Sequence, residues 1–197
     1  MDAALERNLI ESARGGNRRA FGALVEQYQA RLHRAACCLA RNASEAEDMA
    51  QEAFVRAYMS LGRFRGDSAF YTWLFGILLN VYRKFLRLQQ KRRVEEPVVA
   101  EVADSAPSPS RQAAASEELD RVMRAIEHMP PRLREVMVLR HVEEMAYEEI
   151  AQAIGRGIGT VRSRLHRARE LLMTRLGYAG DGAAGAARQA RQIEVQP

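Results

Sequence analysis

Apolar side chains recur every three to four residues through most of the chain, first at Phe21, Leu24, Val25, Tyr28, Leu32, Ala35, Ala36 and Leu39. That spacing puts them on one face of a long helix, with Asn17 placed to cap its start. Ser44 and Glu47 read as a capping box, opening a second helix that runs to about Ser60. Its inner stripe is Ala46, Ala50, Ala53, Phe54, Ala57 and Leu61. The glycines of LGRFRGD break helical continuity. Beyond Asp67 and Ser68 a third helical stretch carries Phe70, Trp73, Leu74, Ile77, Val81 and Phe85, ending in the basic run at 91–93.

A second block follows the same rule. Ser116 is placed to cap a helix with Leu119, Val122, Met123 and Ile126 on its apolar stripe. Pro130 and Pro131 end it and start the next, which carries Leu133, Val136, Met137 and Leu139. Then come two helices, YEEIAQAI and IGTVRSRLHRARELL, joined by a few residues around Gly155. A short helix, a glycine turn and a basic helix form the helix-turn-helix pattern.

Between the blocks, residues 95–115 hold three of the six prolines, no aromatic and no period, which is linker composition. The Gly/Ala-rich stretch 177–197 has few large apolar groups and is expected to be disordered. The expectation is an all-α chain of two small helical domains, 5–94 and 116–176, on a flexible linker. The 197 residues are ample for that, and with 47% hydrophobic but only 7% aromatic residues, an all-β fold is disfavoured. Two adjacent cysteines, Cys37 and Cys38, supply neither a disulfide framework nor a four-ligand zinc site. No secretory signal and no run of ~20 apolar residues is found, so a cytoplasmic protein without membrane insertion is expected.

Charge is uneven. Residues 1–94 hold 16 basic and 9 acidic side chains, whereas 95–115 hold 1 and 4. On the last helix, Val161, Leu165, Ala168 and Leu172 share one stripe, so Thr160, Ser163, His166 and Arg167 point away from it, flanked by Arg162 and Arg164. No acid lies between Arg156 and Glu170. Small polar groups near a helix start, followed by guanidinium groups, suit base edges and phosphates in a major groove. In the first block Phe64, Phe70, Tyr71, Trp73 and Tyr82 alternate with Arg63, Arg65, Arg83, Lys84 and Arg87. Rings beside cations serve unstacked bases, although burial in a core explains the same spacing equally well. Glu45, Asp48 and Glu52 form an acidic face that is ordinarily just solvated; a magnesium-dependent nuclease would need further ligands. No metal, cofactor or catalytic residue is expected, and a stand-alone helix-turn-helix regulator remains the alternative.

The strings NASEAEDMAQEAFVRAYMSL and RFRGDSAFYTWLFGILLN resemble region 2 of the extracytoplasmic-function sigma factors. MPPRLREVMVLRHVEEMAYEEIAQAIGRGIGTVRSRLHRARELL resembles their region 4, and the likeness is greatest to the sigma-E-like branch. The resemblance implies a non-enzymatic promoter-specificity subunit of RNA polymerase. Glu47, Asp48, Gln51, Glu52 and Phe54 match the motif that docks on the beta-prime clamp helices; region 4 meets the beta flap. Phe64, Arg65, Asp67, Ser68, Ala69, Phe70, Tyr71, Trp73, Asn80, Arg83 and Lys84 match the portion that melts the minus-ten element and holds an extruded base. Thr160, Arg162, Ser163, Arg164, His166 and Arg167 match the helix that reads duplex at the minus-thirty-five element. Many members serve stress or envelope responses and are held inactive by an anti-sigma factor, often membrane-bound. Two departures stand out: the glycines of GRGIGT, and Gly76, where a larger or cationic residue often follows the aromatic.

Overall fold

The computed structural model describes residues 2–95 and 121–178; Ser116, Leu119, most of the proposed linker and nearly all of the tail lie outside them. All regular elements among the described residues are helical. Helix α1 spans Ala3–Arg14, α2 Arg18–Leu39, α3 Ala43–Ser60 and α4 Phe70–Glu95, with a single 3-10 turn, Leu61–Arg63, between α3 and α4. Residues 121–127 form the described part of α5, followed by α6 (Pro131–Met137), α7 (Tyr147–Ile154) and α8 (Ile158–Arg175).

The helix boundaries follow from local chemistry. Asn17 caps α2, its Oδ1 accepting from the Arg19 and Ala20 amides. At α3 the sequence expectation needs correction. Asn42, not Ser44, is the cap and accepts from the Glu45 amide at 2.9 Å, while Glu45 reaches back to the Arg41 amide at 3.2 Å. The side chain of Asn competes as well as Ser for orphan amides, and starting two residues earlier satisfies the first turn sooner. Pro131 sits in the first turn of α6, where its missing N–H costs nothing. Gly155 closes α7 in the left-handed conformation (φ 64°), with the Arg156 amide donating to the Ala151 carbonyl.

In the first block, α2, α3 and α4 meet along Leu24, Leu32, Ala35, Ala36, Met49, Ala53, Ala57, Leu74 and Leu78, all at most 1% exposed. The alanines on α2 and α3 let the two backbones approach closely, and the leucines fill the space beside them. Removing one of these leucines to Ala costs about 2–5 kcal/mol. The second block packs Val136, Leu139, Ile150, Val161, Leu165 and Ala168 together. After α6 the chain widens into a π turn over Val138–Val142 and reverses at Glu144, whose φ is +55°. That left-handed residue is costly without glycine, and Glu143 just before it is buried.

The two blocks pack against each other, and their buried residues form one continuous apolar cluster. Helix α7 lies on α4, where Gly76 makes the approach possible: a Cβ there would stand 3.1 Å from the Ala153 carbonyl oxygen. Two desolvated carboxylates tie the junction. Glu135 accepts both Nε and Nη2 of Arg83, at 2.9 and 2.8 Å, and Glu143 accepts Arg31 Nε at 2.7 Å. Each acidic side chain is 1% exposed, a position tolerable only because it is paired. The guanidinium of Arg134 donates to three carbonyls, those of Leu39, Ile126 and Met129, and so holds the C-terminal end of α2 against the α5–α6 turn.

Candidate nucleic-acid and polymerase surfaces

Helix α8 presents the arrangement its periodicity requires. Val161, Leu165 and Ala168 are buried, Arg162, Ser163, His166 and Arg167 are exposed, and Thr160 is half-buried at the margin. His166 lies 3.3 Å from Glu170 one turn on, so the acid nearest it sits toward the C-terminal half of the helix. Gly157 and Gly159 are open to solvent with nothing near a hypothetical Cβ, leaving the helix start bare for close approach to a groove. Arg164 differs from its neighbours. It is half-buried and turns toward α4 and α6, lining a cavity with Arg83, Arg132 and Arg156. Burial chiefly, then the nearby arginines against the opposing pull of Glu135, lowers its pKa.

The first-block candidates divide by burial. Phe64, Phe70 and Tyr71 are core residues, Phe64 packing edge-on to Phe70 at 5.6 Å between ring centroids. Of the two readings the spacing left open, burial in the core is the one these three rings adopt in this arrangement. Trp73 is half-buried against Phe64 and Phe70, at 5.1 and 5.6 Å. Arg65, Asp67, Ala69, Asn80 and Lys84 are exposed and Ser68 is half-buried. Ser68, Thr72, Trp73 and Asn80 line a 290 Å³ cleft whose other wall is Gln152 to Gly155 of the helix-turn-helix. This side of α4 is thus roofed by α7. Arg83, which the resemblance matches to the melting portion, is bound by Glu135 in this arrangement.

On α3, Glu47, Asp48 and Gln51 are exposed and Glu52 is half-exposed, with Gln51 donating to Glu47 and Arg56 to Glu52. Phe54, grouped with them by resemblance, points into the core instead. Two residues that the sequence pattern did not single out continue the face: Val55 is 53% and Met59 80% exposed, two and three turns beyond Asp48. Exposed apolar groups at i+7 and i+11 of an acidic stripe were the available signal. Glu45 is engaged by Arg41 and Gln89, and no group of three metal-ligating side chains occurs among the described residues. No helix among them is long and apolar enough to cross a membrane.

Comparison with known proteins agrees with both blocks. Residues 24–92 match the model of sigma-70 region 2, and residues 119–172 that of sigma-70 region 4. The chain is 39% identical over 176 residues to an RNA polymerase sigma-H factor of Pseudomonas aeruginosa, covering 85% of this chain and 91% of that one. It is 38% identical over 175 residues to the ECF RNA polymerase sigma-E factor of Escherichia coli K12, covering 83% and 90%. Among solved structures it is similar to CnrH in complex with the cytosolic domain of CnrY (TM-score 0.66, 30% identity, 89% and 99% covered). It is also similar to the sigma factor RpoE in complex with the anti-sigma factor NepR from Bartonella quintana (TM-score 0.67, 25% identity, 81% and 98% covered). The chain belongs to the extracytoplasmic-function sigma factors of the sigma-70 family, in their sigma-E-like branch.

Proposed function

We propose that this chain binds core RNA polymerase, directs it to a specific class of promoters and initiates transcription there under the control of an anti-sigma factor. Family membership supports the activity, and the sigma factors solved with anti-sigma partners support the control. The single observation that carries the DNA-reading part is the exposed, acid-free N-terminal two-thirds of α8 on a helix-turn-helix. In this reading Thr160, Arg162, Ser163, His166 and Arg167 read duplex at the upstream element. Trp73, Asn80 and Lys84, with the loop from Arg65 to Ala69, hold the opened strand. Glu47, Asp48, Gln51 and Glu52, extended by Val55 and Met59, dock on the beta-prime clamp helices.

Mechanistically, the guanidinium-rich surfaces supply salt-dependent affinity and α8 supplies sequence. Capture of an unstacked base offsets the few kcal/mol that unstacking costs. Strand capture requires α7 to leave α4, since the cleft beside Trp73 is roofed by Gln152–Gly155. The place of work is the cytoplasm, where polymerase and promoter meet. Run-off transcription from genomic fragments with purified core polymerase tests the proposal: specific transcripts should appear only with this chain added. A chain that binds a palindromic duplex alone and never raises initiation would be a stand-alone regulator.

A further inference from the structure

At the junction of the two blocks lies a cavity of about 580 Å³, the size of a small-ligand site. Its walls carry six arginines: Arg41 from the α2–α3 turn, Arg83 and Arg87 from α4, Arg132 from α6, Arg156 from the turn after α7, and Arg164 from α8. The one carboxylate in the lining is Glu135, and both its oxygens are taken by Arg83. No ion pair with a described carboxylate engages Arg41, Arg132, Arg156 or Arg164. Arg41, Arg87, Arg132 and Arg156 are exposed around the rim, Arg83 and Arg164 are half-buried, and the pKa of Arg164 is lowered by its burial and by Arg132, Arg83 and Arg156, against Glu135. A fold that gathers six arginines around a single carboxylate is complementary to an external anion.

We propose that this cavity binds a small phosphate-rich anion, a polyphosphate or the triphosphate of a nucleotide, and that such an anion holds the two blocks together. Planar guanidinium groups match phosphate oxygens two at a time, and several of them can surround a compact polyanion. A duplex backbone is too broad to enter a pocket of this volume. The site has walls from both blocks, so it exists only while they are packed, and a ligand bound there stabilises that arrangement by mass action. Arg83 is already held by Glu135, so the cations left for a ligand are chiefly those of Arg41, Arg87, Arg132, Arg156 and Arg164. Binding itself requires only the pocket; its consequence for transcription rests on the sigma-factor reading.

The test uses the full chain and sodium tripolyphosphate, followed by titration calorimetry at ionic strength matched with chloride. Saturable one-to-one binding is expected, weakened at least tenfold in Arg132→Ala/Arg156→Ala and unchanged in Arg7→Ala, a substitution on the distant helix α1. Helical circular dichroism identical to the parent's confirms that the double variant is folded. Should it not be, Arg132→Gln and Arg156→Gln made singly carry the comparison. Magnesium-free adenosine triphosphate forms a second arm: tighter binding than tripolyphosphate assigns the site to nucleotides, and equal binding assigns it to bare polyphosphate. Absence of saturable binding by the parent chain, or equal weakening by Arg7→Ala, overturns the proposal. Neither result touches the transcription assay, so this inference and the proposed function fail separately.

Discussion

The hydroxyl of Tyr71 on α4 donates a 2.7 Å hydrogen bond to the carboxylate of Glu143, 72 residues away in the other block. The same carboxylate takes the Arg31 guanidinium, which also lies over the Tyr71 ring at 3.9 Å. Burial first, and then the bond to Glu143, pushes the Tyr71 hydroxyl well above the ordinary phenol range, so it remains a donor at any physiological pH. Glu143→Ala strands both partners. Breaking the pair is expected to destabilise the packed arrangement by about 1–3 kcal/mol, toward the low end because Arg31 is partly exposed and can rehydrate. A larger radius of gyration in small-angle scattering, with helical content retained, is the outcome to look for.

Gly76 is the other fastening of the junction. Gly76→Leu should strengthen α4 itself, by about 1 kcal/mol of helix propensity, yet drive α7 away because Ala153 backbone already occupies the space. The expected variant is stably helical, more extended, and binds a non-template-strand oligonucleotide more tightly than the parent. Tightening without expansion would place the effect elsewhere.

Arg167 stands exposed on α8, where Glu170 one turn on is paired with His166. Arg167→Ala should weaken binding to an upstream-element duplex by about 1–3 kcal/mol if it reaches a base, and specificity at that base should relax. If it reaches phosphate, the loss is uniform across sequences and the salt slope falls by about one. Fluorescence anisotropy against salt separates the two cases, and unchanged affinity removes α8 from the interface.

Val55→Asp and Met59→Asp place charge on exposed apolar surface, so neither should lower the melting temperature by more than a degree or so. Both should weaken association with core polymerase about tenfold or more. Parent-like association would confine docking to the acidic half of α3.

The thiols make a pH prediction. Burial raises the pKa of both Cys37 and Cys38, so the unfolded chain loses these protons first as pH rises past about 8.5. The native state then holds more protons than the unfolded one, and stability falls with pH in that range. Alkylation by iodoacetamide should be slow at pH 7, rise with pH, and strike the exposed Cys37 before Cys38.

Much of this was legible from residues alone because it is local. Asn17, Pro131 and Gly155 act within a few residues of themselves, and the inward stripe of α8 is a matter of period. The α3 cap was misplaced because Asn42 and Ser44 are both competent and only the geometry of the preceding turn decides between them. Aromatic residues defeated the reading for another reason. Spacing says that Phe70 and Tyr71 occupy a helix, not which neighbours cover them, and Tyr71 is covered from the opposite block by Glu143. The exposed Val55 and Met59 and the arginine-lined cavity likewise depend on how distant segments pack.

Arg134 gives the junction a direction in which to come apart. Its three bonds go to carbonyl dipoles in a dry pocket, whereas the Arg31 and Arg83 pairs are partly open to water, with arginine side chains 41% and 32% exposed. Added electrolyte screens the latter two far more than the former. With rising ionic strength the ties from Arg31 on α2 to Glu143 and from Arg83 on α4 to Glu135 on α6 are therefore expected to slacken first, while the end of α2 still grips the α5–α6 turn like a retained pin.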